Sequence, residues 1–447
     1  MYKSTTLRFM IAKLSADLSP ASQTNTSDST PSTSVRKKPK TSSFQKAVAK
    51  YDIPNEALPE SVVTQAIKKV KNQAYIKHKK SNSFSEGLGD TSISQLLSDG
   101  KYKKQEINET ATSGKILCIS KPGSISDDMN YDDDENYYKG FIGDDIANRY
   151  KILGALGKGT FGEVFKCLDK KTNTEVAVKI IRNEKTYRES GDQELSLLNE
   201  LSEISLESQE NIVKLLDSFE FRGHLCLVFE LLIADLFQII ENNNNCGLPI
   251  NNVKAIIKQI IQALQVMHSL KMIHCDIKPD NIMLKNKDQN LVKIIDFGSS
   301  CKESRRFLEY VQNRNYRAPE IVFDIDYTKA IDIWSLGCIT IELLTGKSLF
   351  KVENEQELFR SFVNTFGYPE KYFVRKGRRN HIFIDRQGRF KVKSAPNTNS
   401  IRNILQGFDL DTINFVESCL KWIPEHRISA DQALVHPWIS SYIKDEL

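Results

Sequence analysis

Two carboxylates carry most of the chemistry that this sequence offers. Asp276 lies two residues before Lys278 and five before Asn281, in the run HCDIKPDN. Asp296 closes an apolar run containing Val292, Ile294 and Ile295, and Phe297 and Gly298 follow it at once. Moving a phosphoryl group onto a hydroxyl needs such a set. A carboxylate must orient the hydroxyl and take its proton, a cation must balance charge on the group in flight, and oxygen ligands must hold a hard divalent ion such as Mg²⁺. Asp276 suits the first task, Lys278 the second, and Asn281 with Asp296 the third.

A phosphoryl donor also needs a cradle and a second cation. From Tyr150 the chain reads as a strand, a glycine-rich turn, a second strand, a turn at Lys171–Thr174 and a third strand. Gly157, Gly159 and Gly162 let the backbone approach phosphate oxygens that a Cβ would hold off. Dinucleotide folds use the same glycine spacing, but there it passes from strand to helix, whereas here it joins two strands. Lys179 ends the third strand and needs a carboxylate to fix its long side chain. Glu194, Glu200 and Glu203 all lie on the next helix, whose apolar stripe is Leu195, Leu198 and Leu201. Two further strands (NIVKLLDSFEF and HLCLVFELL) follow. Residues 252–270 then form an amphipathic helix with Ile256, Ile257, Ile260, Ile261, Leu264 and Met267 inward. It would be the support behind the Asp276 loop.

At 447 residues the chain is longer than one average domain. Its formal charge of +5 is unevenly placed: residues 1–125 carry 20 Lys+Arg against 10 Asp+Glu, leaving 42 against 47 for the remainder. Residues 1–128 are rich in Ser, Thr, Lys and Asn and read as a largely disordered extension. Within it, 59–80 has helical apolar spacing with a basic polar face, and Arg36–Lys40 reads either as a nuclear-import motif or as a solvated charge run. The acidic run Tyr131–Tyr138 reads as a solvated turn rather than a calcium loop, since no ligand repeat follows. The eight cysteines include no CxxC pair, which argues against zinc and a disulfide framework. Cys275 and Cys301 flank the site and read as buried inert thiols rather than a redox pair. No apolar run approaches a bilayer span. The final Lys444-Asp445-Glu446-Leu447 spells a retrieval signal that works only in the secretory lumen. With no entry signal, it reads as the end of a helix, and the expected location is cytoplasmic or nuclear.

These residues resemble a eukaryotic protein kinase over about 150–440: the glycine-rich turn with Val164, the VAVK strand, HCDIKPDN, Asp296-Phe297-Gly298 and Ala318-Pro319-Glu320. The resemblance implies an α+β, bilobal fold with a small β-rich N-lobe (150–231) and a larger helical C-lobe (232–440). It favours Glu194 as the partner of Lys179. It implies an ATP site made of Leu156, Gly157, Gly159, Gly162, Val164, Ala177, Lys179, Phe229, Glu230, Leu232, Asp235 and Met283. Phe229 would stand behind the adenine, the backbone of Glu230 and Leu232 would meet its edge, and Asp235 would reach the ribose. Glu320 would pair with Arg427, and Asp332 would hold the catalytic loop.

Finer marks resemble the dual-specificity tyrosine-regulated (DYRK) kinases of the CMGC group. They are HCD for the usual HRD, SSC after Asp296-Phe297-Gly298, the segment LEYVQNRNYRAPE (308–320), and YDDDENYY, which is similar to that family's DH box at 129–149. RNEKTYRE (182–189) is most similar to its class 2 branch. The likeness implies autophosphorylation of Tyr310, then Ser/Thr kinase activity on proteins, with ATP and Mg²⁺ as cofactors and a monomeric kinase domain that binds neither nucleic acid nor membrane. The uncharged Cys275 cannot bind an activation-loop phosphate. Arg314 and Arg317, four and seven residues after Tyr310, would do so. Asn313 stands where those relatives carry Ser or Thr bridging Asp276 and Lys278. Residues 351–410 hold an Arg/Lys/Asn-rich excursion where CMGC kinases carry an insert. A pseudokinase or scaffold is the rival class, but it would not be expected to keep Lys179, Glu194, Asp276, Asn281 and Asp296 together.

Overall fold

The computed structural model describes residues 131–205, 209–286, 291–304, 310–392 and 400–441. The extension over 1–128 with the helix expected at 59–80, the basic cluster 36–40 and the final Lys444–Leu447 lie outside the described residues.

The described chain up to Glu230 is built on one antiparallel sheet in the order β1-β2-β3-β4-β6-β5. Its strands are β1 (Asp145–Ile146), β2 (Tyr150–Lys158), β3 (Gly162–Asp169), β4 (Thr174–Ile181), β5 (Leu215–Phe221) and β6 (His224–Glu230). Side chains alternate along β4, so one strand serves two cores. Val176, Val178 and Ile180 face an outer cluster with Tyr138, Ile146, Ile152 and Phe165. Ile181 instead joins the main core with Leu197, Leu198 and Leu201 of helix α1 (Lys185–Ser202). The β3–β4 turn is made by Asn173 in the left-handed region, with Asp169 accepting from the Lys171 N–H and the Thr172 hydroxyl.

After Glu230 the chain becomes helical. Helices α2 (Leu236–Asn242), α3 (Ile250–Ser269), α4 (Pro319–Phe323), α5 (Ala330–Thr345) and α6 (Glu355–Phe366) precede the short α7 (Lys371–Lys376) and α8 (Asn380–Phe383). Four more close the fold: α9 (Ile401–Ile404), α10 (Leu410–Cys419), α11 (Ala430–Leu434) and α12 (Pro437–Ser440). On α3 the expected inward residues, Ile256 to Met267, are buried. Helix α5 is buried on all sides from Ile331 to Leu344 and stops at Gly346, whose φ is +70°. A Cβ there would lie 2.2 Å from the Asn245 carbonyl oxygen, so only glycine fits. Two small sheets lie beside this body: β7 (Ala234–Asp235) with β9 (Ile282–Leu284) and β10 (Val292–Ile294), and β8 (Met272–Ile273) with β11 (Cys301–Lys302). They carry the Asp276 and Asp296 loops. Among the described residues no helix is long and apolar enough to cross a membrane.

The acidic run departs from expectation. Tyr131–Tyr138 is docked on the sheet rather than solvated: Asp132 pairs with Tyr138 in an antiparallel bridge, and Tyr138 is buried in the outer core. The cause is its aromatic residues: Tyr138 packs into the apolar outer face of the sheet and Tyr131 against it.

Candidate active site

Strand β8 delivers His274, Cys275 and Asp276 to the edge of the cleft. Cys275 has φ +66°, a conformation that costs a non-glycine residue free energy and persists only when its surroundings fix it. Asp332, fully buried on α5, does so. Its carboxylate accepts from the backbone N–H of His274 at 2.9 Å and of Cys275 at 3.0 Å. His274 then ties the two loops together. Its Nδ1 accepts from the Asp276 N–H at 3.2 Å, while Nε2 lies 3.1 Å from the Ile295 carbonyl oxygen. Asp276 is thereby held with Oδ2 accepting from Lys278 Nζ at 2.7 Å and from Asn281 Nδ2 at 3.0 Å. Asn281 Nδ2 also donates to the Asp276 carbonyl at 2.9 Å, so the amide oxygen is the atom left to ligate a metal.

The second loop meets the sheet through Lys179. Its Nζ lies 2.8 Å from Glu194 and 2.8 Å from Asp296. Of the three glutamates on α1, Glu194 is the one that turns inward; Glu200 pairs instead with Lys302. Burial opposes the charge on Lys179, but Asp296 and Glu194 outweigh it and hold the ammonium above its usual pKa. Burial would also raise Asp296, yet Lys179 brings it down to about 2, so it is a carboxylate at any physiological pH. Glu194, more deeply buried and sharing its one cation, is pushed upward. Asp296 too has a left-handed backbone, φ +61°, which aims its side chain back into the cleft.

The glycines divide their labour. A Cβ on Gly157 would meet nothing within 4 Å, and one on Gly159 only the Gly162 carbonyl at 4.0 Å, so both leave open space for phosphates. Gly162 is different: its Cβ would lie 2.2 Å from the Ile180 carbonyl oxygen. The expectation that Gly162 serves phosphate approach is corrected, since close packing of β3 on β4 demands it. Phe161, at the tip of the turn, lies against Gly298 of the metal loop, a contact that local sequence did not announce.

Several of the expected adenine residues are cross-strand neighbours in the large sheet. Val164 pairs with Lys179 and Ala177 with Phe229, while Leu156 stays exposed on β2. Phe229 and Leu232 are buried. The Glu230 carboxylate accepts from Lys293 Nζ at 2.9 Å, and its backbone N–H donates to the Lys214 carbonyl at 3.2 Å. Met283 pairs with Asp235 across β9 and β7. Asp235 uses one oxygen to cap α2, accepting from the Gln238 N–H at 2.8 Å, so a single carboxylate oxygen remains for any hydroxyl.

The protein kinase domain family matches residues 150–439. The chain belongs to the protein kinase family. The kinase is 39% identical over 325 residues to dual specificity tyrosine-phosphorylation-regulated kinase 2 of Drosophila melanogaster, covering 71% of this chain and 45% of that protein. It is 40% identical over 317 residues to the human kinase 4 of the same name, covering 69% and 61%. It is also 39% identical over 353 residues to the DYRK-family kinase pom1 of Schizosaccharomyces pombe, covering 76% and 32%. The kinase therefore stands in the DYRK family, and it spans less than two thirds of the length of each of these relatives.

The kinase's Tyr310 is half-exposed and surrounded by charge. Its hydroxyl donates to Glu355 Oε1 on α6 at 2.6 Å and accepts from Arg317 Nη1. Arg317 Cζ stacks 3.9 Å from the ring centroid and Arg379 Cζ lies at 5.5 Å. Arg379, just before α8, forms a two-pronged pair with Glu355. Burial and then Glu355 raise the Tyr310 pKa, which keeps the hydroxyl protonated. Arg317 is as expected, but Arg314 is not a Tyr310 ligand. It starts the 3₁₀ turn Arg314–Tyr316, and its Nε is buried without a hydrogen-bond partner. Gln312, with φ +68°, bends the chain between Tyr310 and Arg314, and Arg379 takes the place from the insert. Asn313 caps that same turn, accepting from the Asn315 N–H at 3.1 Å, while Lys278 bonds Asp276 directly.

Glu320 and Arg427 form a two-pronged ion pair at 2.7 and 2.6 Å, both side chains fully buried. Cys275 and Cys301 lie 3.8 Å apart, sulfur to sulfur, and burial, then Cys301, push the Cys275 thiol well up. That describes thiols, not thiolates.

Proposed function

We propose that this chain transfers the terminal phosphoryl group of ATP to Ser/Thr hydroxyls of other proteins, and first to its own Tyr310. The observation that carries the reading is the simultaneous placement of two ion clusters. Lys179 bridges Glu194 and Asp296, and Asp276 is held by Lys278 and Asn281. ATP with a divalent ion, Mg²⁺ by the all-oxygen donor set of Asn281 and Asp296, supplies the transferable group. The residues present fit that pair: the open space over Gly157 and Gly159 suits phosphates, and Asp296 is anionic.

Each residue then has a task. Asp276 orients the attacking hydroxyl and takes its proton. Lys278, 2.7 Å from Asp276, balances charge on the phosphoryl oxygens. Lys179, fixed from both sides, holds the non-transferring phosphates. A phosphate added to Tyr310 would bring a dianion beside Glu355, and Arg317 and Arg379 would turn from that carboxylate to the phosphate. The loop would then be ordered without any arginine in the Cys275 position.

Two assays on bacterially expressed protein test this. The wild type should transfer radiolabel from Mg·ATP to a generic basic protein, and Asp276→Asn should not; equal inertness of the two would end the enzyme reading. Phosphopeptide mapping of the wild type should find phosphate on Tyr310. An active enzyme lacking it would remove the tyrosine step.

A further inference from the structure

The docked run Tyr131–Tyr138 takes no part in the chemistry above, yet it grips the glycine-rich turn from two sides. On one flank Tyr137 Oη donates to the Gly159 carbonyl at 2.7 Å. Lys158 Nζ lies 2.9 Å from Asp133 Oδ2 and 3.7 Å above the Tyr137 ring. On the other flank Arg182 Nε and Nη2 donate to the Glu135 carbonyl at 2.9 and 2.6 Å, and the Arg182 N–H donates to the Phe161 carbonyl at 3.0 Å. The run is itself stiff. Asp133 Oδ1 accepts from the N–H groups of Glu135 and Tyr137, both at 2.9 Å. Asp132 anchors it to the sheet, 2.8 Å from His224 Nε2 and 3.0 Å from Asn183 Nδ2.

We propose that Tyr137, with Asp133, is a positioning residue for the phosphates of the nucleotide. Gly157 and Gly159 give the turn the space it needs but no packing to hold its shape. A glycine-rich turn loses more conformational entropy on ordering than other sequences, and a tether already in place when the ligand arrives removes part of that cost. The tyrosine hydroxyl holds the Gly159 carbonyl, and the Gly159 N–H closes the turn on the Gly162 carbonyl at 2.9 Å, so the turn has its shape before a phosphate arrives. Asp133 and the Tyr137 ring draw Lys158 toward the outer surface. Phe161, at the tip, then rests on Gly298, so the position of the turn reaches the metal loop. A segment outside the catalytic set thereby sets how tightly triphosphate is held, while adenine recognition at Phe229–Leu232 is untouched.

This inference rests on the ATP reading above, and the test separates the two. The full chain is titrated by calorimetry with the magnesium complex of the non-hydrolysable analogue AMP-PNP and, separately, with adenosine. Failure of the wild type to bind Mg·AMP-PNP overturns the ATP reading itself. If the wild type binds, Tyr137→Phe should raise the Kd for Mg·AMP-PNP by about three- to ten-fold, the scale of one net hydrogen bond, with the Kd for adenosine within two-fold. Asp133→Asn, which leaves the Tyr137 side chain unaltered, should act in the same direction. Unchanged Mg·AMP-PNP affinity in both variants overturns the proposal. So does an equal loss for both ligands, which would mark general damage to the sheet.

Discussion

The Lys179 cluster and the Tyr310 cluster use the same chemistry, cations set against carboxylates, under opposite conditions. Lys179 is surrounded: its side chain is 10% exposed and that of Glu194 only 1%. Both neighbours hold it in one place; motif spacing names Lys179 and Asp296, and the family pattern adds Glu194. Tyr310 is 48% exposed. Its partners come from three segments, namely its own loop (Arg317), the start of α6 (Glu355) and the residue ahead of α8 (Arg379). A buried cluster is fixed once the fold forms, whereas a half-open one can change partners when a phosphate arrives. The first is suited to chemistry and the second to control.

The sharpest break in that contrast comes from Lys179→Met. The variant removes the phosphate-holding cation and leaves Glu194 buried without its partner. We expect a drop in kcat/KM of about 100-fold or more, comparable to loss of one electrostatic donor in a water-poor site. Urea unfolding should also show a loss of up to about 3–5 kcal/mol, the scale for stranding one member of a buried pair. Initial rates and unfolding midpoints check both, and a variant of unaltered activity would remove Lys179 from the mechanism. The Tyr310 cluster should respond less. Arg379→Ala should leave the unphosphorylated protein close to wild type in melting temperature. It should reduce the extra stability that Tyr310 phosphorylation confers by about 1 kcal/mol, one partly exposed charge-assisted bond. Equal protection by phosphate with and without Arg379 would show that Arg317 acts alone.

The same contrast explains what the sequence discloses. The Asp276, Asp296 and Lys179 loops are legible because the chemistry fixes the spacing within each short run, and the fold brings the runs together as such runs require. Choosing Glu194 over Glu200 needed the family pattern, for α1 has glutamates on more than one face. Arg379 was illegible because it lies 69 positions after Tyr310, and nothing in an Arg/Lys-rich segment marks which arginine folds back. Arg314 misled for the opposite reason. Its spacing in the sequence is right, but the left-handed backbone at Gln312 bends the chain ahead of it, and spacing does not disclose that bend. The acidic run misled because charge was weighed more heavily than its aromatics, Tyr131, Tyr137 and Tyr138, which decide its docking. Gly162 was assigned to phosphate by a motif that does not distinguish a glycine facing a ligand from one facing a neighbouring strand.

The smallest effect expected is on acid stability, and it follows from Asp296. Its folded-state pKa, held by Lys179, is about 2 against an ordinary value of 3.8. A carboxylate depressed on folding stabilises the native state fully above its unfolded pKa and loses that contribution as pH falls through the folded value. The Asp296 share should therefore be constant above about pH 5 and fade between about pH 4 and pH 2. The full shift would correspond to about 2.5 kcal/mol, but the side chain is 35% exposed, and solvent screening should reduce this to about 1 kcal/mol. Asp296→Asn keeps the shape and removes the titration, while Glu194 still serves Lys179. Urea midpoints of the wild type and this variant should differ at pH 6 and converge as pH approaches 2. A gap that stays constant across that range would mean that Lys179 is held by Glu194 alone and that Asp296 is free to be drawn wholly toward a metal.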